Sequence, residues 1–313
     1  MTGTTEPIAL DVLLLPAFAA DDFDVEKDLP DEFERWRESY EFENSVSVSG
    51  ANMPVYYTDD GIGITSTGMG KADAAATVTA ILAGERFDCS ETYFLTVGIA
   101  GAPPTVGTLG SVFVADSIVD WDRKHRWAAR DGETTDERER PLELLSYRPH
   151  DYVYHLNDDL VTEAVRVAKS VELLDSSGTE AYRNRYEQQA ARSKPGVDVG
   201  TTLCGDEFWH GATISEHAQW LTEQYGAGTY ATTEMEEMGT ATALDRFGLL
   251  DRYLSVRGVA NFDRPHDGQS IRESLHDGVQ AETFDVTLEN VRRVGSAIVE
   301  ELRDGGDVNG ETG

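Results

Sequence analysis

Three short stretches of the chain carry side chains that are suited to chemistry. They are the acidic run Glu234-Met235-Glu236-Glu237, the aromatic run Phe208-Trp209-His210 and the polar run Asn261-Phe262-Asp263-Arg264. A carboxylate can accept hydrogen bonds from two neighbouring hydroxyl groups, an aromatic ring can stack on a flat ligand, and an amide can donate a hydrogen bond. Each run also has a structural explanation, because acidic residues stabilise the start of a helix, aromatic rings fill cores, and Asp263 can pair with Arg264.

The central element that must position these side chains is the segment Tyr93–Asp120. Tyr93–Val97 is a short apolar run, typical of a strand that is buried on both faces. We expect this strand to stop at the turn Gly98-Ile99-Ala100-Gly101, before a second strand over Ser111–Ile118. In α/β sheets a strand that ends in a small-residue turn often forms a ligand site, although such a turn can also serve packing alone.

A second glycine-containing turn, Thr67-Gly68-Met69-Gly70-Lys71, precedes a helix predicted over Ala72–Ala83. The N-terminus of such a helix can lie beside a ligand, which makes Met69 a candidate binding residue. The spacing differs from that of a phosphate-binding loop, and Ala72 stands where such a loop has Ser or Thr.

Strand-like and helix-like segments alternate along the chain, which predicts an α/β fold whose mixed or parallel sheet is covered on both sides by helices. A strand is expected over Tyr253–Ala260, so that the polar run follows at its carboxyl end. Helices are expected over Asn157–Leu174, residues 232–247 and residues 281–303, with a further helix across Thr179–Arg192.

We expect one domain at residues 10–303. Residues 121–199 are interpreted as an elaboration carried by that domain, since they lack the apolar content for a core of their own. Residues 1–9 are predicted to be a flexible tail and residues 304–313 a disordered acidic tail.

The composition is strongly acidic. The 313 residues include 58 acidic and 26 basic side chains, for a formal charge of −32. A lysine-poor, acidic surface is typical of halophilic proteins, which work in concentrated salt, although an ordinary acidic cytosolic protein is the alternative. Binding nucleic acid or an anionic membrane requires clustered Lys and Arg, so neither is expected as a partner.

Two cysteines, Cys89 and Cys204, provide neither a disulfide framework nor a paired metal site, and we interpret both as small buried hydrophobes. The longest near-apolar run of the N-terminal region, Val12–Ala20, is far shorter than the ~20 residues that cross a bilayer. We therefore expect a cytoplasmic protein with no membrane span and with no metal or other cofactor.

Five motifs in their order along the chain resemble the purine nucleoside permease family. They are TGMGKADAAA, YFLTVGIAGAPPTVGTLGSV, DEFWHG, TTEMEEMGTATAL and VRGVANFDRP. The resemblance covers roughly residues 10–300, and that family is similar in turn to the nucleoside phosphorylase and nucleosidase superfamily. It implies a three-layer α/β/α fold with a mixed central sheet partly curled into a barrel, a homo-oligomer, and a site that binds purine nucleosides and can break their N-glycosidic bond.

The resemblance also implies roles for individual residues. Glu236 matches a glutamate that binds the ribose hydroxyls, and Met235 matches a methionine that packs on the sugar. Phe208 matches the aromatic residue that stacks on the base, and Trp209 is its neighbour. His210 is a weaker candidate for the same pocket, because a lone histidine is more often structural.

The residue that serves the leaving base is ambiguous. Asn261 stands where nucleosidases of the superfamily have an aspartate at purine N7. An amide can donate a hydrogen bond to N7 but cannot transfer a proton. Either Asn261 acts as a neutral donor or Asp263 is the general acid, unless Asp263 is held structurally by Arg264.

The nucleophile site is also open. Phosphorylases of the superfamily hold phosphate with Arg and Ser or Thr around the central glycine turn, where this chain has Thr96 and Ile99 on either side of Gly98. Ile99 cannot donate to a phosphate oxygen, so hydrolysis is favoured, although phosphate stays open as a co-substrate. Asp21 is the candidate acid for positioning water, with a solvated acidic face as its alternative explanation. A nucleoside-binding protein without catalysis, serving uptake, is the alternative function.

Overall fold

A computed structural model describes residues 6–19, 31–127, 141–144, 152–277 and 281–308. The strands are β1 Ile8–Ala9, β2 Val12–Leu15, β3 Asn44–Val46, β4 Val55–Tyr57, β5 Ile62–Ile64, β6 Phe87–Asp88, β7 Tyr93–Ala102, β8 Val112–Asp120, β9 His125–Arg126, β10 Leu142–Glu143, β11 Val153–His155, β12 Val197–Cys204, β13 Tyr230–Glu234 and β14 Tyr253–Phe262. The helices are α1 Glu34–Arg37, α2 Lys71–Ala83, α3 Asp158–Ala168, α4 Ser177–Arg183, α5 Gln189–Arg192, α6 Ala212–Gln224, α7 Glu237–Arg246, α8 Ile271–Asp277 and α9 Ala281–Val308.

Within these residues, the main sheet has ten strands. Nine follow the order β11-β8-β12-β13-β7-β2-β5-β4-β3, and β14 pairs with both β7 and β8. Strand β14 thereby closes a five-stranded barrel of β7, β13, β12, β8 and β14 inside the larger sheet. It runs parallel to β7 and antiparallel to β8, which confirms the predicted mixed sheet that is partly curled into a barrel.

Helices lie on both faces of β14. Successive side chains of a strand point in opposite directions, so neighbouring residues of β14 face different helices. A Cβ placed on Gly258 would lie 2.5 Å from side-chain carbons of Thr287 and Val291 on α9. The neighbouring Arg257 points the other way, toward the start of α7, where its Nε donates to Glu237. The three-layer α/β/α arrangement is therefore as expected.

Strand β7 does not stop at the glycine turn that the sequence suggested. It continues through Gly98 to Ala102 and pairs with β14 along this length. Gly98 meets a need for close approach, because an added Cβ would lie 2.6 Å from Glu32 Oε1 and 2.8 Å from Arg257 NH1. The glycine thus makes room for two charged side chains rather than for a turn.

The helix predicted over residues 232–247 begins later than expected. Residues up to Glu234 form β13, and α7 starts at Glu237. The β-branched Thr232 and Thr233 pair with β12, which offers them a sheet ladder that a local helix signal does not reveal. The predicted helix Asn157–Leu174 is shorter, ending at Ala168, with Asn157 as its N-cap.

Other boundaries also differ from the prediction. The helix predicted across Thr179–Arg192 is two short helices, α4 and α5, and both α3 and α4 pack on α9. Helix α9 continues to Val308, and Ile8–Ala9 pairs with β6.

Both cysteines are buried, as predicted. Among the helices of the described residues, none combines the length and the apolar character that a membrane span needs.

Candidate functional site

A cavity of about 160 Å³ opens beside β7, β13 and β14, where these strands approach their carboxyl ends. Its walls also include the loops that precede α2 and α6. It is lined by Ala17, Phe18, Glu32, Met69, Ile99, Ala100, Gly101, Gly205, Glu207, Phe208, Trp209, Thr233, Glu234, Met235, Glu236, Arg257, Asn261 and Asp263.

A buried ionic cluster forms the floor of this cavity. We call it the Arg257 network, and it consists of Arg257, Glu32, Glu234, Glu236 and Glu237. The Arg257 Nε lies 2.6 Å from Glu237 Oε1, NH2 lies 3.3 Å from Glu234 Oε2, and NH1 lies 3.6 Å from Glu236 Oε2. Burial opposes the charge on Arg257, but the surrounding carboxylates outweigh it and raise the pKa of Arg257 well above its usual value.

Glu32 and Arg257 are the members of the network to which the sequence assigned no role. The side chain of Glu32 is only 2% exposed, and its two carboxylate oxygens accept hydrogen bonds from the backbone N–H groups of Ile99 (2.8 Å) and Ala17 (2.9 Å). Burial raises the pKa of Glu32 to about 7, although Arg257 and these two N–H groups act in the opposite direction. Glu32 therefore changes its charge close to neutral pH while it faces the cavity.

Glu236 lies where the acidic run suggested, buried on the cavity wall. Its Oε1 accepts a hydrogen bond of 3.0 Å from the backbone N–H of Gly70, which ties the loop before α2 to the site. Burial raises the pKa of Glu236. Its second oxygen lies near Arg257, and the carboxylate is held so that it can accept hydrogen bonds from a ligand.

Glu234 supports the turn between β13 and α7. Its Oε2 accepts hydrogen bonds from the backbone N–H groups of Glu236 (2.6 Å) and Glu237 (2.9 Å). Burial, reinforced by repulsion from Glu237, raises the pKa of Glu234 to about 8. Since this value lies above neutrality, Glu234 is mostly protonated at pH 7, which reduces the negative charge under the cavity.

At the carboxyl end of β14, Asn261 and Asp263 both line the cavity, but they form different hydrogen bonds. The Asn261 Nδ2 donates to the carbonyl of Phe262 (3.1 Å), which leaves it a second N–H for a ligand. Asp263 is 1% exposed and pairs with Arg264 Nε at 2.8 Å. Ser215 Oγ (2.5 Å) and Tyr230 OH (3.3 Å) donate to its other oxygen. Asp263 therefore forms the ion pair with Arg264 that the sequence left open, and it also accepts hydrogen bonds from two hydroxyl groups.

Two residues of the aromatic run line the cavity, and the third does not. Phe208 lines the cavity at its rim and is 66% exposed, whereas Trp209 lines it from a buried position against Trp121. His210 is not among the lining residues. Its Nε2 lies 2.9 Å from Ser274 Oγ, and burial lowers its pKa. His210 thus anchors α8 rather than the ligand pocket.

The remaining predicted residues fall into two groups. Met69, Met235 and Ile99 line the cavity, and the Ile99 carbonyl also accepts a hydrogen bond from Arg257 NH1 (3.3 Å). Thr96 and Gly98 lie below the surface of the cavity and are not among its lining residues. The Thr96 hydroxyl is hydrogen-bonded to Glu237 Oε1 at 3.3 Å. Asp21 lies outside the described residues.

Among the described residues, the charged side chains that line the cavity are mostly acidic. Among the described residues that line the cavity, Arg257 is the one cation, and its donors are directed at Glu237, Glu234 and the Ile99 carbonyl. Binding a dianion requires donors or positive charge that are free to receive it. Within the described part of the chain there is likewise no cluster of His, Cys, Asp or Glu arranged to hold a metal ion.

Comparison with solved structures agrees with the barrel and the covering helices. A 5'-methylthioadenosine/S-adenosylhomocysteine nucleosidase from Neisseria meningitidis superposes with a TM-score of 0.57 and 18% identity, covering 93% of this chain and 100% of that one. The corresponding nucleosidase from Colwellia psychrerythraea, in complex with adenine, has a TM-score of 0.59 and 16% identity, over 95% and 98%. Futalosine hydrolase from Helicobacter pylori has a TM-score of 0.57 and 14% identity, over 94% and 98%. The fold is nucleoside phosphorylase-like.

Comparison at the level of sequence is more specific. A protein of Schizosaccharomyces pombe that is described as a probable purine nucleoside permease is 31% identical over 251 residues, which cover 71% of this chain and 72% of that protein. A purine nucleoside permease of Candida albicans is 27% identical, over 91% of this chain and 74% of that protein. The model of the purine nucleoside permease family matches residues 10–308. The chain therefore belongs to the purine nucleoside permease family.

Proposed function

We propose that this protein binds a purine nucleoside and hydrolyses its N-glycosidic bond. The observation that carries the proposal is Glu32, a buried carboxylate with a pKa of about 7 that faces the same cavity as Glu236 and Asn261. A general base works best when its pKa lies near the working pH. The family name and the nucleosidase-like fold support the choice of a purine nucleoside as the ligand.

The ribose is held by Glu236. Its carboxylate can accept hydrogen bonds from the 2'- and 3'-hydroxyls, with Met235 packed on the sugar beside it. As the glycosidic bond breaks, the sugar acquires the positive charge of an oxocarbenium ion. A cavity whose charged lining is mainly acidic stabilises that charge where it develops.

Glu32 prepares the nucleophile. Its ionised carboxylate accepts a proton from a water molecule as the water oxygen bonds to C1' and the bond from C1' to the base nitrogen breaks. The bonding electron pair leaves with the base, where the second N–H of Asn261 hydrogen-bonds N7. Because an amide keeps its proton, the departing base takes a proton from solvent.

Water is favoured over phosphate as the nucleophile because the cavity is already acidic. A phosphate dianion would have to enter beside Glu32 and Glu236, and the only lining cation in the described residues is already paired. A neutral water molecule does not meet this repulsion.

A second candidate function is nucleoside binding without catalysis, in support of uptake. One observation favours it: Asp263, the general-acid candidate from the sequence, is held by Arg264, Ser215 and Tyr230. The permeases that this chain resembles are named for transport. In this function Glu236 and the aromatic rim would bind the nucleoside and the base would stay attached.

A product assay separates these functions. Inosine and adenosine are incubated with the protein in concentrated KCl, with and without phosphate, and the free base and sugar are measured. Free ribose in phosphate-free buffer is the result expected for hydrolysis. Ribose 1-phosphate formed only with phosphate would contradict it, and calorimetric binding without release of base would establish the second candidate.

A further inference from the structure

Glu237 is a buried charge that the proposed reaction does not use. It is 0% exposed and lies at the first position of α7, behind the cavity rather than in its lining. From the sequence alone, Glu237 could be explained as an acidic side chain that stabilises the start of a helix. Its contacts give it a more specific role, because its Oε1 faces Arg257 Nε at 2.6 Å.

The position of Glu237 is itself set by neighbouring strands. Thr96 on β7 and Ser255 on β14 both donate hydroxyl hydrogen bonds to the same Oε1. These two hydrogen bonds hold the carboxylate between two barrel strands. Because the carboxylate is fixed in this way, it can hold the guanidinium of Arg257 in place. A guanidinium is planar and rigid, so an anchored Nε also fixes the directions of its two terminal nitrogens.

These terminal nitrogens point toward the cavity. NH1 donates to the Ile99 carbonyl and lies 3.6 Å from Glu236, whereas NH2 donates to Glu234. Ile99 is also the residue whose N–H binds Glu32. The contact at Nε therefore fixes the position of the guanidinium, and with it the strength of the attraction between Arg257 and Glu32.

We propose that Glu237 is a positioning residue that orients and partly neutralises Arg257, and that it thereby makes Glu32 a stronger base for the proposed hydrolysis. This inference rests on the proposed function. It does not require Glu237 to touch the nucleoside or the water.

Among the described residues, the charged groups that most influence these side chains are members of the Arg257 network, and the buried Tyr253 and Cys204 are titratable neighbours of it. Glu32 is influenced by Arg257 and Glu236 and by the N–H groups of Ile99 and Ala17. Arg257 is influenced by Glu237, Glu234, Glu236 and Glu32. Without the charge of Glu237, Arg257 would attract the ionised form of Glu32 more strongly and would lower the pKa of Glu32.

The test is Glu237→Gln, which keeps an oxygen for Arg257 Nε but removes the charge. We expect the acid limb of kcat/KM to move to lower pH by about one unit, and kcat above that limb to fall roughly three- to tenfold because Glu32 is a weaker base. Glu34→Gln is the matched control, since it makes the same substitution at an exposed residue outside the Arg257 network. Its acid limb is expected to stay close to that of the unsubstituted protein.

A titration that needs no turnover makes the result independent of the proposed function. The side-chain carboxyl carbons of glutamate are labelled with ¹³C, and the Glu32 resonance is identified by its absence in Glu32→Gln. Its midpoint should fall in Glu237→Gln even if no nucleoside is cleaved, in which case only the proposed function fails. An unchanged midpoint would overturn the role of Glu237.

A second variant covers the case in which Glu237→Gln does not fold. Glu237→Asp keeps the charge but draws the carboxylate back by about one carbon–carbon bond, ~1.5 Å, which loosens its hold on Nε. We expect a smaller shift of the Glu32 midpoint in the same direction. No shift in a folded Glu237→Asp protein would count against the proposal in the same way.

Discussion

At the residue scale, the site depends on buried carboxylates that differ in their surroundings. Glu236 is fixed by the Gly70 N–H, Glu32 by two backbone N–H groups, and Glu237 by two hydroxyls and Arg257. Since buried carboxylates are costly unless they are paired and hydrogen-bonded, each of these contacts stabilises one charge arrangement over others. Similar side chains can therefore serve as ribose ligand, base and positioning group.

The first prediction concerns Glu32. Replacing it with glutamine removes the base but keeps the shape of the side chain, so kcat should fall by roughly 10²–10⁴-fold while nucleoside affinity in calorimetry stays similar. Glu34→Gln, two residues further along the chain and exposed, is the control and should retain full activity. Unimpaired hydrolysis in Glu32→Gln would exclude this residue as the base.

The pH dependence follows from the same group. The active form of Glu32 is ionised, and burial raises its pKa to about 7. Activity should therefore be low in acid and rise as the pH increases through about 7, with a slope that Glu32→Gln abolishes. A kcat/KM profile in constant salt measures both.

The second prediction concerns Glu236. Glu236→Ala removes the proposed ligand of the ribose hydroxyls, and a hydrogen bond to a charged group contributes ~1.5–3 kcal/mol, so Kd for inosine should rise by roughly ten- to hundredfold. Calorimetry measures this whether or not the bond is cleaved. Circular dichroism must show an intact fold, and an unchanged Kd would place the sugar elsewhere.

At the scale of elements, the pairing of β7 with β14 brings the two halves of the site together. Gly98 on β7 pairs with Arg257 on β14, and residue 98 has no side chain where Glu32 and Arg257 approach it. The same pairing places Asn261 beside Gly101, close to the carboxyl end of both strands. In the proposed function, these two adjacent strands position groups for opposite ends of a nucleoside.

The third prediction is therefore made for Gly98→Ala. The new methyl group would lie 2.6 Å from Glu32 Oε1 and must displace it or Arg257. We expect a loss of activity together with a destabilisation of about 1–3 kcal/mol, as for other overpacked cores. Gly196→Ala is the control, because its added Cβ has no heavy atom within 4 Å and should leave both properties unchanged. Denaturant unfolding and the product assay report the two effects.

At the scale of the whole molecule, the dominant property is a formal charge of −32. Self-repulsion of this size destabilises the compact state unless salt screens it, and the screening length falls from ~10 Å at 0.1 M salt to ~3 Å at 1 M. Several basic residues form exposed ion pairs with acidic partners, as at Arg37, Arg166 and Lys169. Exposed pairs of this kind contribute little and do not offset the excess of acidic groups.

The fourth prediction follows from this imbalance. The midpoint of thermal unfolding should be lower in dilute buffer than in concentrated KCl, and hydrolysis should require the salt. The comparison is made at one pH so that the titration of Glu32 does not contribute. A midpoint that does not change with salt would contradict the interpretation of the chain as halophilic.

Features that depend on local pattern could be predicted from the sequence. Apolar β-forming runs predicted β7 and β14, and the family resemblance that the motifs carry implied a mixed sheet with a barrel. The same motifs directed attention to Glu236, Phe208, Trp209 and Asn261, all of which line the cavity. These features could be predicted because each motif is contiguous and lies in or beside a predicted element.

The other charges of the site could not be predicted in this way, because contacts between distant segments bring them together. Glu32 stands 67 positions from Ile99, whose N–H it binds, and no local pattern distinguishes it from the acidic residues around it. Glu237 resembled a helix-start residue until β14 brought Arg257 to it. The choice between a general acid and an ion pair at Asp263 was open until Arg264, Ser215 and Tyr230 surrounded it. The physical reason is that burial and charge pairing set the behaviour of a carboxyl group, and both arise from contacts between segments distant in the chain.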